Sequence, residues 1–308
     1  MTNQMTKHLK LVVCSGKGGV GKSMLTSSLA LLFSKNRKVV AIDCDVDAPN
    51  LAVWLGEPEG WQKKIKISVS ERPLIDNSKL SKKEAVECAK KCRFNALEIE
   101  KGKLKLNPFL CEGCGACEIF CPSGVIKMQK VKNGEIKIKK TKEGFPLISG
   151  QLYPGQTGSG KIVDKIKFQA EKIAEDFKWP KALNQSSEIL HIIDSAPGTG
   201  CPVISALRDA NFAILVTEPT LSGFSDLKKV LEVVVYFGVP WVVVINKWDI
   251  NKNISEKIRR WSGKRFLGKI SYDKEIFKTI ANLTPIMKTN LKAKDEIKKI
   301  FNNLLKLW

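Results

Sequence analysis

The sequence predicts an α/β fold in which a mostly parallel sheet is flanked by helices and interrupted once by a smaller inserted domain. Short apolar runs alternate with helical stretches, and a glycine-rich loop joins the first run to the first helix. Between residues 59 and 160 that rhythm breaks: the apolar runs shorten while cysteines and lysines concentrate.

The first run, LKLVVC, stops at SGKGGVGKS and gives way to MLTSSLALLFSK, whose apolar residues recur at helical spacing. KVVAID follows as a second strand. EILHIID, NFAILVT and WVVVIN read as three more, separated by helices such as SGFSDLKKVLEVVVYF. Continuous apolar strands of this kind are covered on both faces, as in parallel sheets. The expected division is a main domain in two parts, 1–58 and 161–308, with the insert at 59–160. The closing segment LKAKDEIKKIFNNLLKLW places Ile297, Ile300, Phe301, Leu304, Leu305 and Trp308 on one helical face, which is expected to dock on the domain's own sheet.

At 308 residues with 43% hydrophobic content the chain can bury a full core, which excludes a disordered protein. Lysine and arginine number 52 against 31 acids, a formal charge of +21 that favours polyanionic partners without naming one. Residues 60–165 hold 22 basic and 11 acidic side chains, so a third of the chain carries about half the excess. There, KNGEIKIKKTKEG reads as a solvated strand pair with Ile136 and Ile138 on its apolar face. Docking of an acidic redox partner and nonspecific DNA binding are the functional alternatives for this charge, and sparse aromatic residues argue against single-strand stacking. No stretch reaches the roughly eighteen apolar residues of a membrane span, and the opening MTNQMTKHLK lacks a signal peptide's apolar core, so a cytoplasmic chain is expected. Nine cysteines are present. In a reducing compartment, six of them between 88 and 121 point to metal ligation ahead of disulfides.

Gly16-Lys17-Gly18-Gly19-Val20-Gly21-Lys22-Ser23 fits G-x-x-x-x-G-K-S/T in full, between an expected strand and an expected helix. Glycines let backbone N–H groups curl around phosphate oxygens, and the helix N-terminus adds its positive dipole end. Lys22 would reach the β and γ phosphates and the Ser23 hydroxyl would meet magnesium. A second match, Gly155 to Lys161, continues with Ile162 where a hydroxyl is needed. It follows ISGQLYP, read as no buried strand, and is expected to be a hinge leaving the insert. Asp43, Asp45 and Asp47 alternate at the end of the second strand, where open α/β sheets hold ligands; capping by Asp47 or Asn50 is the plainer alternative. Asn246-Lys247-Trp248-Asp249 fits N-K-x-D, in which the carboxylate reads guanine.

Cys111-x2-Cys114-x2-Cys117-x3-Cys121-Pro122 is the bacterial ferredoxin run, whose fourth cysteine ligates the other cluster in two-cluster ferredoxins. Cys88 and Cys92 are spaced as the last two cysteines of a sister run, whose first two places are Lys82 and Ala85. One 4Fe-4S cluster is therefore complete, held by Cys92, Cys111, Cys114 and Cys117. The second site keeps only Cys88 and Cys121. Ligation by Cys121 within the local run, or a zinc site, are the competing readings, and Cys88 and Cys121 could pair on oxidation if their Cα atoms lie within about 7 Å.

Lys17 makes the loop resemble the deviant K-G-G-x-G-K-S/T of the MinD/ParA and nitrogenase iron protein class of P-loop ATPases. That resemblance implies a nucleotide-sandwich homodimer in which Lys17 reaches the partner's phosphates. It also implies that Asp43 and Asp194, in IIDSAPG, support magnesium while Asp45 orients the attacking water, with Asp47 a rival for that role. The lysine favours ATP, with GTP open, because this class also places an asparagine where Asn246 stands. Taken with DCDVDAPN and DSAPGTGCPV, the cysteine run makes nearly the whole chain resemble superfamily members that carry an inserted α+β ferredoxin-like domain. Cys201, seven residues after Asp194, matches a cluster cysteine of the nitrogenase iron protein; packing as a small buried residue is its plainer role. The expected function is an ATP-hydrolysing dimeric switch gating electron transfer or Fe-S and metallocofactor assembly in a client protein. A partition-type positioning ATPase on DNA or membrane, with a structural cluster, and an ATP-dependent carboxylate ligase are the alternatives.

Overall fold

The computed structural model describes residues 7–183 and 186–307; residues 1–6 of the opening segment and Trp308 of the closing helix lie outside the described residues. In chain order, β1 (Lys7–Ser15) leads through the glycine loop to α1 (Lys22–Phe33), then β2 (Lys38–Cys44) and the short α2 (Leu51–Trp54). β3 (Lys63–Ile67), β4 (Ser70–Ile75), α3 (Lys82–Lys91), β5 (Leu97–Glu100), β6 (Lys103–Leu106), α4 (Ala116–Phe120) and β7 (Ile126–Val131) follow. Next come β8 (Gly134–Lys140), β9 (Pro146–Leu152), α5 (Ser159–Asp176), β10 (Glu188–Pro197), α6 (Cys201–Leu207) and β11 (Phe212–Thr217). The chain ends with α7 (Leu221–Tyr236), β12 (Trp241–Asn246), α8 (Lys252–Ser262), β13 (Phe266–Ile270), α9 (Glu275–Ala281) and α10 (Lys292–Leu305).

Seven strands pair in parallel in the order β13-β12-β11-β1-β10-β2-β9, and β8 and β3 extend the sheet beyond β9. The register sets Val13 of β1 beside Asp194 of β10, and Asp194 beside Asp43 of β2. Both acids thus stand at strand ends next to the glycine loop. Helix α1 is buried along its whole length. A helix covered all round has few polar positions, which is why Leu25, Leu29, Leu31 and Leu32 leave no clean polar face. Each such side chain contributes about 1.5–3 kcal/mol by leaving water. At the C-terminus, Ile297, Ile300 and Leu304 of α10 are buried and Phe301 meets Phe33 edge-on, while Leu305 is exposed. Among the described residues no helix is long and apolar enough to cross a membrane.

The chain divides into two compact units, one of Met1–Lys64, Ile136–Gln151 and Ser159–Trp308, the other of Ile65–Glu135 and Leu152–Gly158. The single insert expected at 59–160 is therefore corrected: 59–64, 136–151 and 159–160 belong to the main unit. Their lysine-rich composition hid two core strands. Ile136, Leu147 and Ile148 are buried, and Lys139, expected on a solvated face, is itself buried with its Nζ donating to the carbonyls of Glu57 and Glu59. The second glycine-lysine match likewise follows a buried strand, β9, contrary to expectation; its Ile162 is buried in α5 and Lys161 is exposed.

In the smaller unit β4 and β7 pair antiparallel from Ser70↔Val131 to Ile75↔Ile126, and β5 and β6 form a hairpin. The hairpin turns at Lys101 and Gly102, both with positive φ, as a two-residue primed turn requires. Helix α3 opens with a capping box in which Ser81 and Glu84 satisfy each other's backbone N–H. Ala85, Leu97, Leu104, Val125 and Ile126 form its small core together with Cys88 and Cys121.

Candidate functional site

The glycine loop opens where β1 ends. Gly21 holds φ at +93°, and a Cβ there would run into the Asn246 side-chain amide, so only glycine fits. Lys22 and Ser23, the first residues of α1, are nearly buried. Asp194 is fully buried: its Oδ1 accepts from Thr26 Oγ1 at 3.2 Å, and its Oδ2 has no hydrogen-bond partner. Burial pushes its carboxyl up to about 6 against the pull of Lys22. Asp43 is held well above the usual carboxylate range by burial first and by the neighbouring Asp194 second. Two acids and an orphaned oxygen beside Ser23 are a donor set suited to a hard divalent cation.

Asp43 also does the capping expected of Asp47 or Asn50. Its Oδ1 accepts from Asp45 N at 3.2 Å and its Oδ2 from Leu51 N at 2.9 Å, whereas Asn50 makes no side-chain cap bond and Asp47 is exposed. Asp45 is partly buried, and that burial raises its carboxyl while Lys22 opposes the shift. Lys17 Nζ donates to Glu218 Oε1 at 2.7 Å, and Lys247 Nζ lies 3.3 Å from Glu218 Oε2. Burial works against the Glu218 charge, but the two lysines outweigh it and hold the carboxyl below its ordinary range.

Beside Gly19 and Gly21 lies a slot lined by Met24, Trp54, Asn246, Tyr272 and Phe277. Asn246 Nδ2 donates to the carbonyl of Val20 and its Oδ1 accepts from Lys247 N, so its amide braces the loop. Asp249 is outside this lining, and its Oδ1 accepts from Tyr272 N at 2.7 Å.

In the smaller unit Cys92, Cys111, Cys114 and Cys117 line one cavity of about 190 Å³, walled by Phe94, Leu97, Leu106, Phe120 and Met128. Gly113 has φ +65°, and a Cβ on it would strike the Glu71 carbonyl, so the tight passage from Cys111 to Cys114 needs glycine. Ala96 N–H donates to Cys92 Sγ at 3.3 Å. Burial pushes the Cys117 thiol up, and the charges of Cys111 and Cys114 push it further. Among the described residues no three His, Cys, Asp or Glu side chains converge as a single metal ion requires. Cys121 does not line this cavity; it is bonded to Cys88, with 5.5 Å between Cα atoms, within the separation at which the sequence lets these two pair. Cys201, the first residue of α6, is exposed, which removes its reading as a buried packing residue.

Residues 11–286 match the family model described as the CobQ/CobB/MinD/ParA nucleotide binding domain. The chain belongs to that family. It is 36% identical to an uncharacterized protein of Methanocaldococcus jannaschii over 96% of each chain. It is 23% identical to an iron-sulfur cluster carrier protein of the same organism, over 97% of this chain and 84% of that one. Its fold is similar to that of the septum site-determining protein MinD from Pyrococcus horikoshii, solved with Mg-ADP, at a TM-score of 0.56 and 17% identity over 97% of both chains.

This P-loop ATPase of the MinD/ParA type has one site residue that sequence reasoning missed, Glu218. It follows the apolar β11 at the strand end where such sheets hold ligands, and that position was the available signal. Lys247, the fixed lysine of the N-K-x-D match and given no role of its own there, takes a left-handed φ of +54° and donates to the Gly19 carbonyl at 3.2 Å.

Proposed function

We propose that this ATPase is a nucleotide-driven iron-sulfur switch. Two copies would sandwich ATP, and their nucleotide state would gate a 4Fe-4S cluster held by Cys92, Cys111, Cys114 and Cys117 for electron delivery, or for cluster or metallocofactor assembly, in a client protein. The observation that carries the reading is the lining of one apolar-walled cavity by those four cysteines in a chain of this family. The relatives named as iron-sulfur cluster carriers support it, at low identity.

At the phosphate loop, Lys22 would neutralise charge on the transferring phosphoryl group, Ser23 and Asp194 would hold magnesium with Asp43 behind them, and Asp45 would position water. Magnesium would supply charge neutralisation on the phosphate oxygens. Lys17 would leave Glu218 to reach the phosphates of a second copy. ATP is favoured over GTP because Asp249 is engaged by the Tyr272 backbone. Cys201, exposed at the start of α6, is the proposed contact for electrons or metal at the dimer axis. When bound, the cluster would supply one-electron redox chemistry; the protein's part is four thiolates, the Ala96 N–H on Cys92 and the apolar side chains of the wall.

The test is anaerobic purification, with iron and acid-labile sulfide measured per chain and EPR after dithionite reduction. About four irons and four sulfides with a reduced-cluster signal are expected. Absence of iron after reconstitution, especially with zinc bound, would overturn the reading.

A further inference from the structure

Cys88 and Cys121 stand apart from the four-cysteine cavity. Cys88 lies on α3 one turn before Cys92, the residue that caps that helix, and Cys121 caps α4 one turn after Cys117. The bond between them, with Cα atoms 5.5 Å apart, ties α3 to α4 and so ties together the two elements that carry Cys92 and Cys117. Both cysteines are almost fully buried. A second cavity of about 360 Å³ nevertheless reaches them, lined also by Lys83, Glu84, Glu87, Lys91, Phe120 and Pro122. The other places of a full ligand run are Lys82 and Ala85, and Ala85 is buried in the apolar core; Glu84 and Glu87 line the same cavity, but among the described residues no three His, Cys, Asp or Glu side chains converge on a metal ion.

We propose that Cys88 and Cys121 are a reversible dithiol/disulfide couple whose oxidised form locks Cys92 and Cys117 around the cluster cavity. The couple stands on its own chemistry; its consequence for the cluster rests on the function proposed above. The co-reactant is a small thiol entering the second cavity. Its thiolate attacks one cysteine sulfur, the cysteine disulfide breaks and the other cysteine leaves as a thiolate that takes up the proton. A second molecule of thiol then resolves the mixed disulfide. In sum, two small thiols are oxidised to their disulfide while Cys88 and Cys121 are reduced to two thiols.

The experiment equilibrates the full-length protein in mixtures of reduced and oxidised dithiothreitol, alkylates it, and maps the modified cysteines by mass spectrometry. Cys88 and Cys121 should become alkylated together, as one two-electron step. Alkylation of both in the most oxidising mixture, or of neither under excess reduced dithiothreitol with the protein native, would overturn the couple. A chelator challenge reads the lock: iron should leave the reduced protein, and a Cys88→Ser variant, several-fold faster than the oxidised protein. Equal rates would overturn the lock, and about eight irons per chain would overturn the whole proposal by assigning the pair to a second cluster. A chain that takes up no iron sinks the cluster reading and the lock with it, while the couple is still decided by the alkylation pattern.

Discussion

The phosphate-loop site hangs from the ends of β1, β2, β10 and β11 in a nine-stranded sheet, whereas the four-cysteine cavity hangs from the end of one helix, a five-residue second helix and the loop before it. In the first, backbone pairing sets the positions of Asp43 and Asp194 whether or not a ligand is present, and the cost appears as two carboxyls forced toward their neutral forms by burial. In the second, few backbone bonds hold the cysteines in place, and the Cys88–Cys121 bond together with whatever the cavity binds must supply the order. A site built into a sheet is preorganised and expensive to keep unliganded; a site built on loops depends on cross-links and cargo.

Substitution at Lys22 gives the largest expected contrast. Lys22→Ala should lower kcat for ATP hydrolysis by ~100-fold or more while leaving iron content unchanged, as read by phosphate release and iron analysis on one preparation. Loss of iron together with hydrolysis would break the separation between the two sites. Retention of full hydrolysis would sink the proposed role of the loop.

Asp194→Asn sharpens the cost attached to the sheet site. The folded protein holds the Asp194 proton to about pH 6, well above an unfolded carboxyl at 3.8, so this group's stabilising contribution is present below about pH 4 and lost as pH rises through 6. At about 1.4 kcal/mol per pH unit the loss approaches ~3 kcal/mol at neutral pH. The variant should therefore melt higher than the parent near pH 7.5 without nucleotide, yet hydrolyse ATP poorly. An unchanged or lower melting temperature would show that the buried carboxylate is compensated in some other way.

His191 carries the opposite dependence. Buried in β10 with its Nε2 2.8 Å from His8 Nδ1, it is held down to about 3 by burial first and the neighbouring His8 second. The unfolded chain protonates first, so stability is full above about pH 6.5 and falls by about 1.4 kcal/mol per unit as pH drops toward 3. Between pH 6 and 4 the His191 trend opposes those of Asp194 and Asp43. As pH falls from 6 to 4, urea unfolding should show Asp194→Asn losing stability relative to the parent; parallel profiles for the two proteins would refute the assignment.

Much of this was legible in order along the chain. The β1 loop, α1 and the strands at KVVAID, EILHIID, NFAILVT and WVVVIN stand where apolar periodicity puts them, because parallel strands covered on both faces leave continuous apolar runs. The lysine-rich β8 was not legible as a core strand, since the buried Lys139 pairs with the Glu57 carboxylate and donates to the Glu57 and Glu59 carbonyls, a compensation that composition does not reveal. Glu218 escaped for a related reason: its partners Lys17 and Lys247 are far from it in sequence, and only the sheet order brings β11 beside β1 and β12.

By itself the sequence determined the fold class, the phosphate loop and the identity of the cysteines, because glycine spacing, apolar period and thiol chemistry are local properties of the chain. Only the tertiary structure decided that β8 and β9 belong to the main sheet, that Asp43 caps α2 while standing beside Asp194, and that Cys92 faces the cavity while Cys88 faces Cys121. Those outcomes turn on which residues distant in sequence share a face, and register and packing settle that where local spacing cannot.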